Sequence, residues 1–256
     1  SEEHKAELKG KNTLLSSANS INFGRLAPQI AYYFSAYLDL VSAGQIAVGQ
    51  TADFTVPTGN FGNILAAYYA KQMGLPVGKL VCASNKNNIL TDFIKTGKYD
   101  VHRNFYKTMS PSMDILISSN LERLLYEISG RNAALVKERM DNLAKNGVYM
   151  VTTEELKRIN ESFYAGCTNE EQTVECMYDF FCEYGYPLDT HTGVAMNVAE
   201  EYMRKCREAK DPKDKTPLPP MVVVSTASPY KFPQDVLYAL TGNDVKDSFK
   251  GIKRLN

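Results

Sequence analysis

The residues that could do chemistry in this sequence gather in three places. The first, Thr58-Gly59-Asn60-Phe61-Gly62-Asn63, stands between a short apolar, β-branched run (53–57) and a helix-patterned stretch. Two glycines permit a tight turn that leaves main-chain N–H groups bare, and the following helix adds its positive end, so the turn reads as an anion cradle. It lacks the Lys-Ser/Thr ending of a triphosphate loop and the three-glycine dinucleotide spacing, which leaves a small monophosphate. Gly62 is the position where a β-branched side chain is expected to block close approach and a positive φ. A plain βα turn without a ligand is the other reading of the same residues. The second place is Ser225-Thr226-Ala227-Ser228-Pro229-Tyr230-Lys231-Phe232-Pro233, which opens at the end of the run MVVVST. Hydroxyls at the carboxyl end of a buried strand face the crevice where open α/β sheets bind ligands, and a threonine can bond a ring nitrogen without protonating it. Such residues also cap turns and helices with no ligand present. In the third place, Asn19-Ser20-Ile21-Asn22-Phe23-Gly24-Arg25, amides and a hydroxyl lead into a helix whose arginine can clamp a phosphate or carboxylate. Alternatively, Asn22 is an N-cap and Arg25 a solvated first-turn charge.

The elements that must position these groups follow from periodicity. Residues 25–43 carry apolar groups at helical spacing up to Gly44, and the helix after the glycine turn ends at Gly74 and Pro76. The runs 53–57 and 79–84 read as buried strands, so strand, turn, helix and strand make a βαβ unit with a parallel sheet, and the fold class is α/β. Residues 113–146 and 153–184 are mostly helical in pattern, with breaks at Gly130, Asn146-Gly147 and Gly166 and a short strand at 148–151. A further helix spans 192–208, the charged, proline-rich stretch 210–220 is a surface connector, and 221–226 is the clearest strand. There is no internal repeat.

Composition narrows the function. The 256 residues are 44% apolar, and 29 Lys plus Arg balance 29 Asp plus Glu, so no net field draws the chain to nucleic acid or an anionic membrane. A small molecule is the expected partner. Five cysteines without a C-x-x-C pair and three dispersed histidines (His4, His102, His191) argue against structural zinc and a disulfide framework. A reducing, cytoplasmic setting is expected, with no apolar run of the ~20 residues a membrane span needs. The charged opening stretch lacks an initiator methionine, which leads to the expectation that the chain is cut from something longer.

The stretches NSINFGRLAPQIAYYF, VPTGNFGNILAAYYAKQMGLPV, NKNNILTDFIKTGKY, SPSMDILISSNLERLLYEISG, DTHTGVA and STASPYKFP occur together in this order. From about residue 17 to residue 240 the sequence resembles threonine synthases of the bacterial and fungal type, which are fold-type II pyridoxal-phosphate enzymes. The resemblance implies a parallel-sheet large domain with a helix-rich insertion. It also implies that Gly59, Asn60, Phe61, Gly62 and Asn63 hold the phosphate of pyridoxal 5′-phosphate and that Thr226 bonds the pyridine nitrogen. Ser20, Asn22 and Arg25 are the expected substrate contacts. The implied reaction converts O-phosphohomoserine and water to L-threonine and phosphate. In the family the cofactor-bonding lysine lies in a Ser/Ala-Phe-Lys-Asp segment before the NSIN motif. The chain is therefore expected to be a carboxy-terminal part (1–256) without any catalytic residue of its own, inactive alone and partnered by the missing amino-terminal part. Ser248-Phe249-Lys250 imitates the segment but is followed by Gly251 and sits in a charged terminal helix. NKNN, DTHTGVA, Ser228 and Tyr230 depart from the commoner family wording, which leaves contacts through Asn87, Asn88, Asp189 and His191 open. Two alternatives stand beside this: another fold-type II lyase acting on a hydroxy or phosphorylated amino acid, and a non-catalytic folded fragment.

Overall fold

The computed structural model describes residues 20–244 and 247–255; the charged opening stretch with His4, and Asn19 of the third motif, lie outside them. In chain order the elements are α1 (Phe23–Ser42), β1 (Ala52–Pro57), α2 (Gly62–Gln72), β2 (Val77–Ser84), α3 (Ile89–Thr96), β3 (Lys98–Asp100), α4 (Leu121–Ile128), α5 (Ala133–Asn146), β4 (Val148–Met150), α6 (Thr153–Ser162), β5 (Phe163–Cys167), α7 (Glu170–Tyr184), α8 (Thr190–Ala209), β6 (Met221–Val223), α9 (Pro233–Thr241) and α10 (Ser248–Leu255). Single 3₁₀ turns occupy Pro111–Met113 and Pro229–Lys231. Residues 210–220 form no helix or strand, and 211–217 are exposed.

Four parallel strands form the central sheet in the order β5-β2-β1-β6. Every residue of β1 is buried, because both faces of the sheet are covered. Phe54, Val56, Leu80 and Cys82 point to the face that packs on α2, whereas Val81 and Ala83 point to the opposite face, against Val194, Ala195 and Val198 of α8. The alternation is the two-residue period of a strand, and the result is a three-layer α/β/α arrangement.

Two findings differ from the sequence pattern. The stretch 153–184 is not one broken helix: it is α6, the strand β5 and α7. A capping box at Thr152 and Glu155 starts α6, and a second at Asn169 and Gln172 starts α7. Between them FYAGC pairs in parallel with β2, from Leu80 opposite Phe163 to Ser84 opposite Cys167. A Cβ on Gly166 would lie 2.7 Å from Val198 Cγ1, so the glycine admits α8 onto the sheet. The second difference is that β6 stops at Val223 rather than 226. Val224 N–H still donates to the Thr55 carbonyl at 2.9 Å, but the neighbouring strand then ends at Pro57, which has no N–H to continue the ladder.

The helix-rich insertion between β2 and β5 carries the small antiparallel pair β3–β4. Within it, Arg139 of α5 is tied to α6: its Nη1 and Nη2 donate to the two carboxylate oxygens of Glu155 at 2.9 and 2.5 Å, with both side chains buried. Among the described residues no helix is long and apolar enough to cross a membrane.

Candidate functional site

From β1 the chain crosses to β2 and then β5 on one side, while β6 lies on the other. The connections therefore diverge between β1 and β6, and in such sheets the crevice at the carboxyl ends of the diverging strands is the ligand position. A cavity of about 540 Å³ opens there. It is lined by the 59–63 turn that follows β1, by Ser225 and Thr226 that follow β6, and by Ser20 and Arg25 at the start of α1.

The turn is built to expose N–H groups. Phe61 takes the left-handed conformation, φ 60° and ψ 6°, as the residue before α2. A non-glycine residue at positive φ is strained, and the Phe61 ring offsets this by being buried 5.6 Å from the Phe163 ring. The carbonyls of the turn are occupied from behind. Ser118 Oγ donates to the Gly59 carbonyl at 2.8 Å, and the Asn60 carbonyl accepts from Asn120 N–H at 3.1 Å and Asn120 Nδ2 at 2.9 Å. The first helical bond runs from Leu65 N–H to the Phe61 carbonyl at 3.1 Å, so the N–H groups ahead of Leu65 have no intrahelical acceptor. Asn63 is fixed by Tyr33 of α1, whose hydroxyl donates to Asn63 Oδ1 at 2.5 Å. Burial drives the Tyr33 phenol far above its usual pKa, so it remains a donor. Gly59 is required by its surroundings: a Cβ there would lie 2.6 Å from the Ser112 carbonyl. Gly62, by contrast, is not at positive φ, and its Cβ would meet nothing closer than Asn120 Nδ2 at 3.4 Å. The positive φ expected at Gly62 is thus corrected: the left-handed residue is Phe61, and it is Gly59 that the protein's own main chain crowds.

Thr226 is exposed to the cavity, and its hydroxyl makes no protein hydrogen bond among the described residues. The hydroxyl of its neighbour Ser225 lies 3.2 Å from Thr192 Oγ1, a hydrogen bond that ties the exit of β6 to the start of α8. Ser20 and Arg25 line the cavity, but Asn22 does not. Its Oδ1 accepts from Gly24 N–H at 2.9 Å and caps α1, the local alternative left open by the sequence.

Sequence reasoning missed several lining residues. Gln29 and Tyr32 follow Arg25 at i+4 and i+7, and that helical spacing was a usable signal. Ser112 carried none, and Lys231 stood inside the second segment without being assigned a role. His191 is buried, and its Nε2 accepts from Ser112 N–H at 3.1 Å, which places the ring proton on Nδ1, 3.3 Å from Asp189 Oδ1. His191 is thus both a packed, satisfied histidine and part of the cavity wall. Asp189 caps α8, accepting from the N–H groups of His191 and Thr192 and from the Thr192 hydroxyl. Burial raises the Asp189 pKa, but these bonds outweigh it and hold the carboxyl below its ordinary value. Asn87 and Asn88 lie elsewhere. Asn87 donates to Asp114 Oδ1 at 2.8 Å in a buried knot, and Asn88 Oδ1 accepts from Arg103.

The cavity therefore presents main-chain N–H groups at a helix start, the Thr226 hydroxyl and the cations Arg25 and Lys231, and no carboxylate lines it among the described residues. Such a donor set suits a ligand with a phosphate at one end and a neutral acceptor ring atom at the other. Pyridoxal phosphate fits these residues.

No family model matches the chain. Threonine synthase-like 1 of Homo sapiens is 43% identical over 237 residues, 92% of this chain and 30% of the human protein. Threonine synthase of Pseudomonas aeruginosa is 39% identical over 226 residues, 88% of this chain and 45% of that protein. The crystal structure of pyridoxal-phosphate-bound threonine synthase from Brucella melitensis superposes with a TM-score of 0.78 at 41% identity, covering 91% of this chain and 46% of its own. The chain spans less than half the length of each of these relatives. Sharing both their sequence and their fold over about nine-tenths of its residues, it belongs to the threonine synthase family.

Proposed function

We propose that the cavity is the cofactor and substrate site of a threonine synthase. In this reading the main chain of Gly59, Asn60, Phe61, Gly62 and Asn63 holds the phosphate of pyridoxal 5′-phosphate, and the Thr226 hydroxyl faces the ring nitrogen. Ser20 and Arg25 engage the phosphate of O-phosphohomoserine, with Asn22 acting through its cap on α1, which sets Arg25 in the first turn. The observation that carries the reading is electrostatic: one cavity joins an N–H cradle to Arg25 and Lys231 with no lining carboxylate among the described residues, an environment for two anionic groups. The bound cofactor supplies an electron sink for the substrate amino acid. The residues of this chain orient it: the cradle fixes one end, and a threonine hydroxyl keeps the ring nitrogen uncharged at the other.

The cofactor-bonding lysine is assigned to sequence outside the span shared with the relatives. Among the described residues Lys231 lines the cavity, while Lys250 of α10 is exposed and does not. The chain by itself is accordingly expected to bind the cofactor without making threonine. The test is a product assay on the full-length protein that carries this chain. O-phosphohomoserine should yield threonine and phosphate in equal amounts, whereas ammonia and a 2-oxo acid formed faster from serine or threonine would replace this reading with that of a different lyase.

A further inference from the structure

Asn120 occupies the N-cap position of α4, where an asparagine ordinarily uses its side chain to accept from the first turn of its own helix. It makes no such bond. Its Nδ2 instead donates to the Asn60 carbonyl at 2.9 Å and to the Ser20 carbonyl at 3.1 Å, while Oδ1 accepts from Arg123 Nε at 3.3 Å. The side chain is fully buried, so these bonds are made away from water.

In a planar trans peptide the C=O and the following N–H point in opposite directions. Holding the Asn60 carbonyl against Asn120, and the Gly59 carbonyl against Ser118 Oγ, turns the N–H groups of Phe61 and Asn60 the other way, toward the cavity. The same Nδ2 ties down the backbone of Ser20, at the entry to the helix that carries Arg25. A Cβ at Gly62 would lie 3.4 Å from Nδ2, an ordinary contact.

We propose that Asn120 is the positioning residue of the anion site: it sets the direction of the cradle N–H groups and fastens the Ser20 segment to them. The inference rests on the cofactor-site reading above, because the cradle is taken to hold a phosphate. It is tested with two ligands that differ only in that group, pyridoxamine 5′-phosphate and pyridoxamine, titrated into the purified chain. The wild type is expected to prefer the phosphorylated ligand. Asn120→Ala, which removes both side-chain donors, should cut that preference at least tenfold, and Asn120→Asp, which replaces a donor by an anion, should cut it further. Leu121→Ala, which opens the core next door, should lower the melting temperature without changing the preference. If the Asn120 variants do not fold, Ser118→Ala removes the donor to the Gly59 carbonyl and carries the same expectation. Equal weakening of both ligands, or an unchanged preference, would overturn the positioning role. A wild type without any preference would overturn the cradle reading itself, and it is detected before any variant is made.

Discussion

Gly59 and Gly62 share a motif but face different constraints. A methyl group at Gly59 would have to displace the Ser112 main chain, a cost of about 1–3 kcal/mol for overpacking of this kind. The 3₁₀ turn bearing Ser112 is held on its other side by His191 Nε2, so it has little freedom to move. Gly59→Ala is therefore expected to lower stability and abolish binding of phosphorylated ligands. Gly62→Ala should retain binding within a few-fold, because its new atom meets only the end of the Asn120 amide. Titration calorimetry of the two variants with pyridoxamine 5′-phosphate checks the order, and equal losses would show that the turn tolerates neither change for a common reason. Phe61 completes the turn. Its positive φ is unusual for a bulky residue, yet its ring anchors the turn in the core, so local strain is offset by packing that fixes the direction of the N–H groups around it.

Among the elements, α8 gives His191 to the cavity wall, and its N-cap and first turn hold Asp189, His191 and Thr192 together under the Ser112 turn and beside Ser225. Asp189 makes the stability of this corner pH-dependent. A carboxyl whose folded pKa is depressed contributes stability above its unfolded pKa of about 3.9, and the contribution is lost as pH falls through the folded value. An asparagine in its place would remain a good cap, but the charged acceptor for the Thr192 hydroxyl and the His191 ring would be gone. Asp189→Asn is expected to cost about 1.5–3 kcal/mol near neutral pH, the range for hydrogen bonds to a charged group, and progressively less as the pH falls below about 4. Urea unfolding of both proteins at a neutral and an acidic pH measures it. A loss that stays constant with pH would show that the carboxylate charge is not what the first turn uses.

On the scale of the whole molecule, the crevice depends on strand order. The cradle follows β1 and Thr226 follows β6, two segments far apart in the chain that meet because adjacent parallel strands bring their carboxyl ends side by side. The relatives are more than twice as long as the span they share with this chain. Lys231 and Lys250 are solvent-exposed, whereas a lysine is activated as a nucleophile in a desolvated pocket or beside another cation. Incubating the chain with pyridoxal phosphate, reducing with borohydride and digesting should therefore leave no lysine stoichiometrically modified. Full modification of Lys231, the lysine in the cavity wall, would overturn that expectation and give this chain a cofactor-bonding residue of its own.

Much of the local structure was legible because it is written in neighbouring residues. The strand 53–57, the glycine turn and the helix after it, and the helix that begins beyond Asn22 all follow from spacing and turn chemistry. The helix read at 192–208, observed at 190–209, and the loop at 210–220 follow from the same local signals. β5 was not legible, because FYAGC has little strand character of its own and becomes a strand by pairing with β2, a segment distant in sequence. Nor were Ser112, Asn120 and Lys231, whose roles depend on which loops the sheet order brings to the β1–β6 crevice. The sequence by itself determined most of the elements and the residue types of the turn. Which carbonyls are held, and hence which way the N–H groups point, was decided only by tertiary contacts between segments about sixty residues apart.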